Sequence, residues 1–220
     1  MTWDPVWETV FQSREWGKYP SERVIRYVAI NFYNRWPRRA VRLLDLGCGP
    51  GASTWFMARE GFSVSGIDGS QTGVERAMRR LSAEGLTAEL QVGDFTTLPW
   101  KDGWFDGVID NAALYANSYK DCVRTVSEVR RVLKSGGSFL SCNFTPQTWG
   151  YGLGREVETG GFTDIGEGPL AHKGFSLFMD RSQIEHLYQC FEKVAIDTES
   201  MTIGGGAHMV ESWVVTCKAV

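Results

Sequence analysis

Three glycines at alternate positions, Gly47, Gly49 and Gly51, follow the apolar run Leu43-Leu44-Asp45-Leu46, with Cys48 and Pro50 between them. Glycine adopts positive φ at little cost and lets the main chain approach a ligand closely. A glycine-rich loop at the end of a strand is therefore suited to an adenosyl or phosphate group. The spacing separates those two ligands. Dinucleotide loops read G-x-G-x-x-G, whereas this one reads G-x-G-x-G behind Asp45, with Pro50 stiffening the turn. Asp68 stands seventeen positions after Gly51, at the end of a second apolar run. A carboxylate there can accept hydrogen bonds from both hydroxyls of a ribose. The alternative role is to cap the helix that follows. Asp94 follows a third run, where the plain alternative is a turn-forming aspartate bonded to its own main chain.

A parallel sheet would bring these residues to one edge. Apolar runs of strand length at 42–46, 63–68, 88–92, 105–110 and 137–143 alternate with segments of helical period, the pattern of a parallel sheet covered on both faces. Helix starts are expected at about Ser21, at the capping-box spacing Thr72-x-x-Glu75, at Ser118 ahead of Asp121, and at Asp180-x-x-Gln183. Lys134-Ser135-Gly136-Gly137 is expected to end the helix that carries Val126, Val129, Val132 and Leu133. Residues 144–174 hold eight glycines. Such a stretch exceeds the usual ~12 to 15 residues of an unstructured connection. Trp149, Tyr151, Phe162 and Phe175 favour a substrate-covering loop over a disordered insertion. A short helix near 182–188, a strand from about Phe191 and a last strand at 208–218 close the chain. One domain is expected over 1–220: a helical cap at 1–40, a cofactor-binding core at 41–143, a substrate loop or lid at 144–180, and a C-terminal helix with strands at 181–220.

Composition narrows the class of partner. A formal net charge of −3 gives no basic stripe for nucleic acid, and Arg38-Arg39, Arg79-Arg80 and Arg130-Arg131 read as solvated helix faces. No apolar stretch approaches the ~20 residues of a membrane span. Met1-Thr2-Trp3-Asp4-Pro5 lacks the features of a signal peptide, so a cytoplasmic location is expected. Five scattered cysteines (Cys48, Cys122, Cys142, Cys190, Cys217) form no C-x-x-C pair, which suits reduced thiols and gives no metal site. Oligomeric state leaves no mark in the sequence.

The chain resembles the class I S-adenosylmethionine-dependent methyltransferases of small-molecule type, the broad group that includes quinone-biosynthesis methyltransferases. The resemblance rests on Leu44-Asp45-Leu46-Gly47-Cys48-Gly49-Pro50-Gly51, Gly66-Ile67-Asp68-Gly69-Ser70, Gly93-Asp94-Phe95, Trp104-Phe105-Asp106-Gly107-Val108-Ile109-Asp110 and Arg131-Val132-Leu133-Lys134-Ser135-Gly136-Gly137. These occur in the family's order over residues 41–143. It implies an α/β fold: a Rossmann-like, seven-stranded, mostly parallel sheet with an antiparallel last strand from His208 and helices on both faces. It also implies S-adenosylmethionine as cofactor, with the amino-acid portion near Asp45, Gly47, Cys48, Gly49 and Gly51 and the ribose at Asp68, Gly69 and Ser70. Gly69 departs from the family, where an apolar side chain often packs on adenine. Asp94 would accept from the adenine amino group while the Phe95 amide meets a ring nitrogen. The main chain after Asp110, at Asn111, would accept from the ammonium group. Trp16 and Tyr19 could close over the methyl donor, since aromatic faces attract a sulfonium by ~0.5 to 2 kcal/mol. Ordinary packing is their alternative role. His172 is a candidate base, with a surface position as its alternative, and Tyr115 is a candidate for substrate contact.

Two other classes remain open at this level: an NAD-dependent oxidoreductase on a similar sheet, and a non-catalytic partner or sensor on a cofactor-binding fold. The glycine spacing and Gly93-Asp94-Phe95 weigh against the first. The sequence has no Asn-Pro-Pro-Tyr run of the kind that marks amino methylation of polymers, so a small metabolite is the expected acceptor, with oxygen, nitrogen and carbon nucleophiles all open.

Overall fold

Adjacent residues of the central strands are apolar, and they divide between two cores. The computed structural model describes residues 3–220. Its helices are α1 (Val6–Ser13), α2 (Glu22–Phe32), α3 (Ala52–Arg59), α4 (Gln71–Ser82), α5 (Tyr119–Val132) and α6 (Arg181–Leu187). The main sheet contains β1 (Arg42–Leu46), β2 (Ser63–Asp68), β3 (Glu89–Val92), β4 (Phe105–Asn111), β5 (Leu133–Phe144), β9 (Glu192–Ile203) and β10 (His208–Lys218). Leu43, Ile109 and Leu140 face one core with Val24 and Val28 of α2 and Trp55 and Met57 of α3. Leu44, Val108 and Phe139 face the other with Val126 and Val129 of α5 and Ile184 and Leu187 of α6. Strands apolar on both faces require helices on both faces, which is the layered arrangement observed.

The strand order is β3-β2-β1-β4-β5-β10-β9. The first five strands are parallel, and β10 runs antiparallel to both β5 and β9. Successive connections leave β1 in opposite directions, so a crevice opens between β1 and β4 at their carboxyl ends. There Leu46 of β1 pairs with Ile67 of β2 and Asp110 of β4, which puts Asp45, Asp68 and Asp110 along one edge.

Local differences from the sequence reading have physical causes. Helix α4 is capped by Ser70, whose Oγ accepts from the Gly73 amide, rather than by the Thr72-x-x-Glu75 box. Thr72 is bonded to Glu8, and Glu75 to Gln71. Strand β3 begins at Glu89 and β4 extends to Asn111. Helix α5 passes directly into β5, because Leu133 already pairs with Phe105. Gly136, at φ 73°, absorbs the expected turn within the strand. Ser118 and Asp180 cap α5 and α6 as their spacing predicts. Within the glycine-rich region, β6 (Arg155–Glu158), β7 (Gly161–Thr163) and β8 (Ser176–Leu177) form a small antiparallel sheet. Phe162, Ile165, Leu170 and Phe178 of this region pack with Tyr115, so the region is folded around its own apolar cluster. No helix among the described residues is long and apolar enough to cross a membrane.

Candidate active site

The glycine loop is shaped by what touches it. Gly47 has φ 67°, and a Cβ there would lie 2.2 Å from the Ala113 Cβ, so only glycine lets the loop meet the turn after β4. Gly51, at φ 79°, precedes α3, and a Cβ would lie 2.6 Å from the Ala77 Cβ on α4. Its role is helix packing. The Gly49 amide donates to Asp68 Oδ2 at 2.8 Å and the Ser70 amide to Oδ1 at 2.8 Å. Asp68 thus ties the glycine loop to the start of α4 while it also lines the cavity.

Asp45 and Asp68 line the floor with Asp110 directly behind it, and all three are buried. Asp45 accepts from the Thr54 hydroxyl at 2.6 Å. Asp110 accepts from the amides of Ala113 and Leu114 and from the Ser141 hydroxyl. Among the described residues none of the three has a basic partner. Burial raises each pKa, to about 7 for Asp45 and about 6 for Asp68 and Asp110; Asp45 is raised further by its two neighbours' charges. Ser141 extends the network, accepting from Asn143 at 3.0 Å and from the Tyr188 hydroxyl at 2.6 Å.

Above the floor lies a cavity of about 270 Å³. Its roof is the N-terminal segment, where Trp7 and Phe11 of α1 project inward beside Trp16. Two carboxylates fasten this roof. Glu8 accepts from the hydroxyls of Ser70 and Thr72 on one side. Asp4 accepts from the Phe175 amide at 3.0 Å on the lid side. The Trp3 indole lies over Gly69, where a Cβ would come within 2.4 Å of its ring, so the missing side chain at Gly69 makes room for an aromatic from elsewhere in the chain.

The structure brings Asp45, Gly47, Cys48, Gly49, Asp68, Gly69, Phe95, Asn111, Trp16 and Tyr115 to this cavity. Asp110 stands behind its wall, with the following residues Asn111 to Ala113 at the surface. Other expected residues fall outside. Ser70 is occupied as the cap of α4 and the anchor of Glu8. Asp94 accepts from the Thr96 amide at 3.0 Å and its hydroxyl at 2.7 Å, the turn-forming role, while Phe95 reaches the cavity. Tyr19 is exposed and stacks edge-on against Trp55, 5.5 Å between ring centres, because residues 18–19 turn toward α3. His172 is exposed at φ 59° and does not line the cavity, so it takes the surface role; its neighbour Lys173 does line it. Sequence reasoning missed Lys173, Asn117, Phe144, Leu170 and the α1 residues. Trp3, Trp7 and Phe11 recur every fourth position, a helical-face stripe that could have revealed the roof.

A methyltransferase-domain family model matches residues 43–137. Over these residues the chain is similar to the class I methyltransferases. That family's cofactor is S-adenosylmethionine. Over 137 residues the chain is 33% identical to the demethylmenaquinone methyltransferase of Symbiobacterium thermophilum, covering 60% of this chain and 50% of that one. Among solved structures, a SAM-dependent methyltransferase from Methanosarcina mazei aligns with TM-score 0.68 at 22% identity, covering 81% of this chain and 92% of that one. A phosphoethanolamine N-methyltransferase 2 from Haemonchus contortus, solved with S-adenosylhomocysteine, aligns with TM-score 0.69 at 18% identity over 97% and 58% of the two chains. These two likenesses are of fold. The chain spans about half the length of the curated relatives it matches.

Proposed function

We propose that this protein is an S-adenosylmethionine-dependent methyltransferase acting on a small molecule by in-line transfer. One observation carries the reading: three buried carboxylates without basic partners stand at the ends of adjacent strands, around a glycine loop. A dinucleotide would place its anionic pyrophosphate against that floor and be repelled, whereas a ligand with a sulfonium and an ammonium group supplies the cation the floor lacks. The raised pKa of Asp45 favours the same ligand, since a bound cation would relieve it.

In this reading Asp68 keeps its remaining lone pairs for the ribose hydroxyls, since each of its oxygens accepts one amide. Asp45 and the main chain at Asn111 and Ala112 surround the amino-acid portion, and Phe95 with Trp3 flanks the base. The bound cofactor supplies an electrophilic methyl group on a neutral thioether leaving group. The protein's task is alignment and exclusion of water, and alignment of this kind contributes up to ~7 to 11 kcal/mol. The roof and lid enclose a volume suited to a metabolite, which supports a small acceptor. Tyr115 is buried, and burial raises its pKa, so its hydroxyl acts as a hydrogen-bond donor to the acceptor and not as a base.

Thermal unfolding tests the proposal. S-adenosylhomocysteine at 100 times its Kd stabilises the folded state by about 2.7 kcal/mol, while NADH leaves the melting temperature unchanged. Stabilisation by NADH and none by S-adenosylhomocysteine would refute it.

A further inference from the structure

The cavity is polarised. Asp45 and Asp68 lie at the strand ends, Asp4 lines the roof with both its oxygens taken by the Val6 and Phe175 amides, and Lys173 is the one cationic side chain among the described lining residues. Lys173 follows Leu170 on the lid, within the region that packs on Tyr115. Among the described residues its ammonium makes no ion pair and no hydrogen bond; it lies 5.7 Å from the centroid of the Trp16 ring. Burial, reinforced by Arg14, holds its pKa below the usual lysine range, as for a charge that lacks a counter-ion.

The surroundings specify more than charge. Trp7 meets Tyr115 edge-on at 6.3 Å and Tyr115 meets Phe144 edge-on at 4.8 Å, so three rings in different planes wall this end. Among the described residues the Tyr115 hydroxyl makes no hydrogen bond, and the Trp7 indole nitrogen is buried without a partner. Asn117, itself buried, has its amide oxygen unpartnered. Apart from that oxygen, the free polar groups are donors, and a flat ligand rich in acceptor oxygens satisfies them.

We propose that the methyl acceptor is a small aromatic carboxylic acid, its ring held among Trp7, Tyr115 and Phe144 and its carboxylate on Lys173. This rests on the methyltransferase reading and adds the substrate class to it. A carboxylate on Lys173 could also come from the amino-acid end of the cofactor. The placement of Lys173 on the lid, beside the Tyr115 cluster, assigns it to the acceptor.

The test uses calorimetry on the full chain in saturating S-adenosylhomocysteine, with 4-hydroxybenzoate, 3,4-dihydroxybenzoate and 4-hydroxycinnamate as probes beside their methyl esters. At least one acid binds, and its ester binds about tenfold more weakly or worse, the range expected for losing a charge-assisted hydrogen bond. Lys173→Met abolishes the preference for the acid and leaves S-adenosylhomocysteine affinity unchanged, and Lys173→Arg restores it. Equal affinities of acid and ester, or no binding by any acid, overturn the assignment. So does a Lys173→Met variant that loses S-adenosylhomocysteine and keeps the acid, because the lysine then serves the cofactor. Failure of the wild-type protein to bind S-adenosylhomocysteine is a separate result, visible before any acid is added, and it removes the methyltransferase reading itself.

Discussion

Strand β4 carries a buried aspartate near each end, and the two are treated in opposite ways. Asp106, near the amino end, accepts from the Arg42 amide at 2.9 Å and pairs with Arg35 at 2.8 Å and Lys134 at 2.7 Å. Burial works against ionisation there, yet these partners hold its pKa below the usual range. Asp110, near the carboxyl end, receives only neutral donors, and burial raises its pKa to about 6. The amino end of the strand neutralises its carboxylate with basic side chains, and the carboxyl end does not. A buried carboxylate with basic partners serves stability, and one without them is the kind of group that the proposed cofactor would engage.

The sharpest way to break this contrast is to delete one carboxylate from each end. Asp68→Ala should weaken S-adenosylhomocysteine by about 100-fold in calorimetry, as expected for lost charge-assisted hydrogen bonds, and Asp106→Ala should leave it unchanged. Comparable losses would mean that the two ends are not functionally distinct. Stability should respond in reverse order. Asp106→Ala should lower the urea midpoint by the equivalent of about 2 kcal/mol without changing m, since Arg35 and Lys134 are both partly exposed and screened. Asp45→Asn should raise the midpoint of the ligand-free protein at pH 8 by about 1 kcal/mol, because it removes one of three like charges while keeping an acceptor for Thr54. A lowered midpoint in Asp45→Asn would contradict the strained floor.

A pH series sharpens the same point with a smaller signal. Asp45, Asp68 and Asp110 titrate near 6 to 7 when folded and in the ordinary carboxylate range when unfolded. Between those values the folded state holds protons that the unfolded state has lost. Their contribution to stability is therefore present at acid pH and is lost as pH rises toward 7. The melting temperature of the ligand-free protein should fall from pH 5 to pH 7.5, less steeply in Asp45→Asn, while S-adenosylhomocysteine affinity rises over the same interval. The smallest effect belongs to Tyr19→Ala, which should leave ligand affinity unchanged because that ring lies on Trp55 outside the cavity. A loss there would return Tyr19 to the site.

The floor of the site was legible in sequence because local constraints create it. Gly47 and Gly49 stand where the chain turns out of β1, and Asp45, Asp68 and Asp110 stand near the ends of runs whose strand character is plain from composition. The roof was less legible because it depends on contacts across the chain: Glu8 reaches Ser70 and Thr72, and Asp4 reaches Phe175, pairings that no local pattern announces. His172 and Lys173 show the limit clearly. Both lie in one glycine-rich stretch, histidine has the more familiar catalytic chemistry, and only the backbone path puts the lysine at the cavity. Asp94 and Asp68 illustrate a different limit, since a strand-end aspartate can satisfy its own turn, bind a ligand, or do both, and the spacing is the same in each case.

The carboxylates that fasten the roof and those that line the floor lose charge at different acidities. Burial opposes ionisation of Glu8, but the hydrogen bonds from Ser70 and Thr72 keep it ionised to below the ordinary glutamate range. The floor carboxylates take up protons near pH 6 to 7. Acidification therefore disarms the cavity before it unfastens it. At about pH 5 the floor is uncharged while Glu8 still fastens the roof, a vessel that has kept its door and lost its grip on a cation.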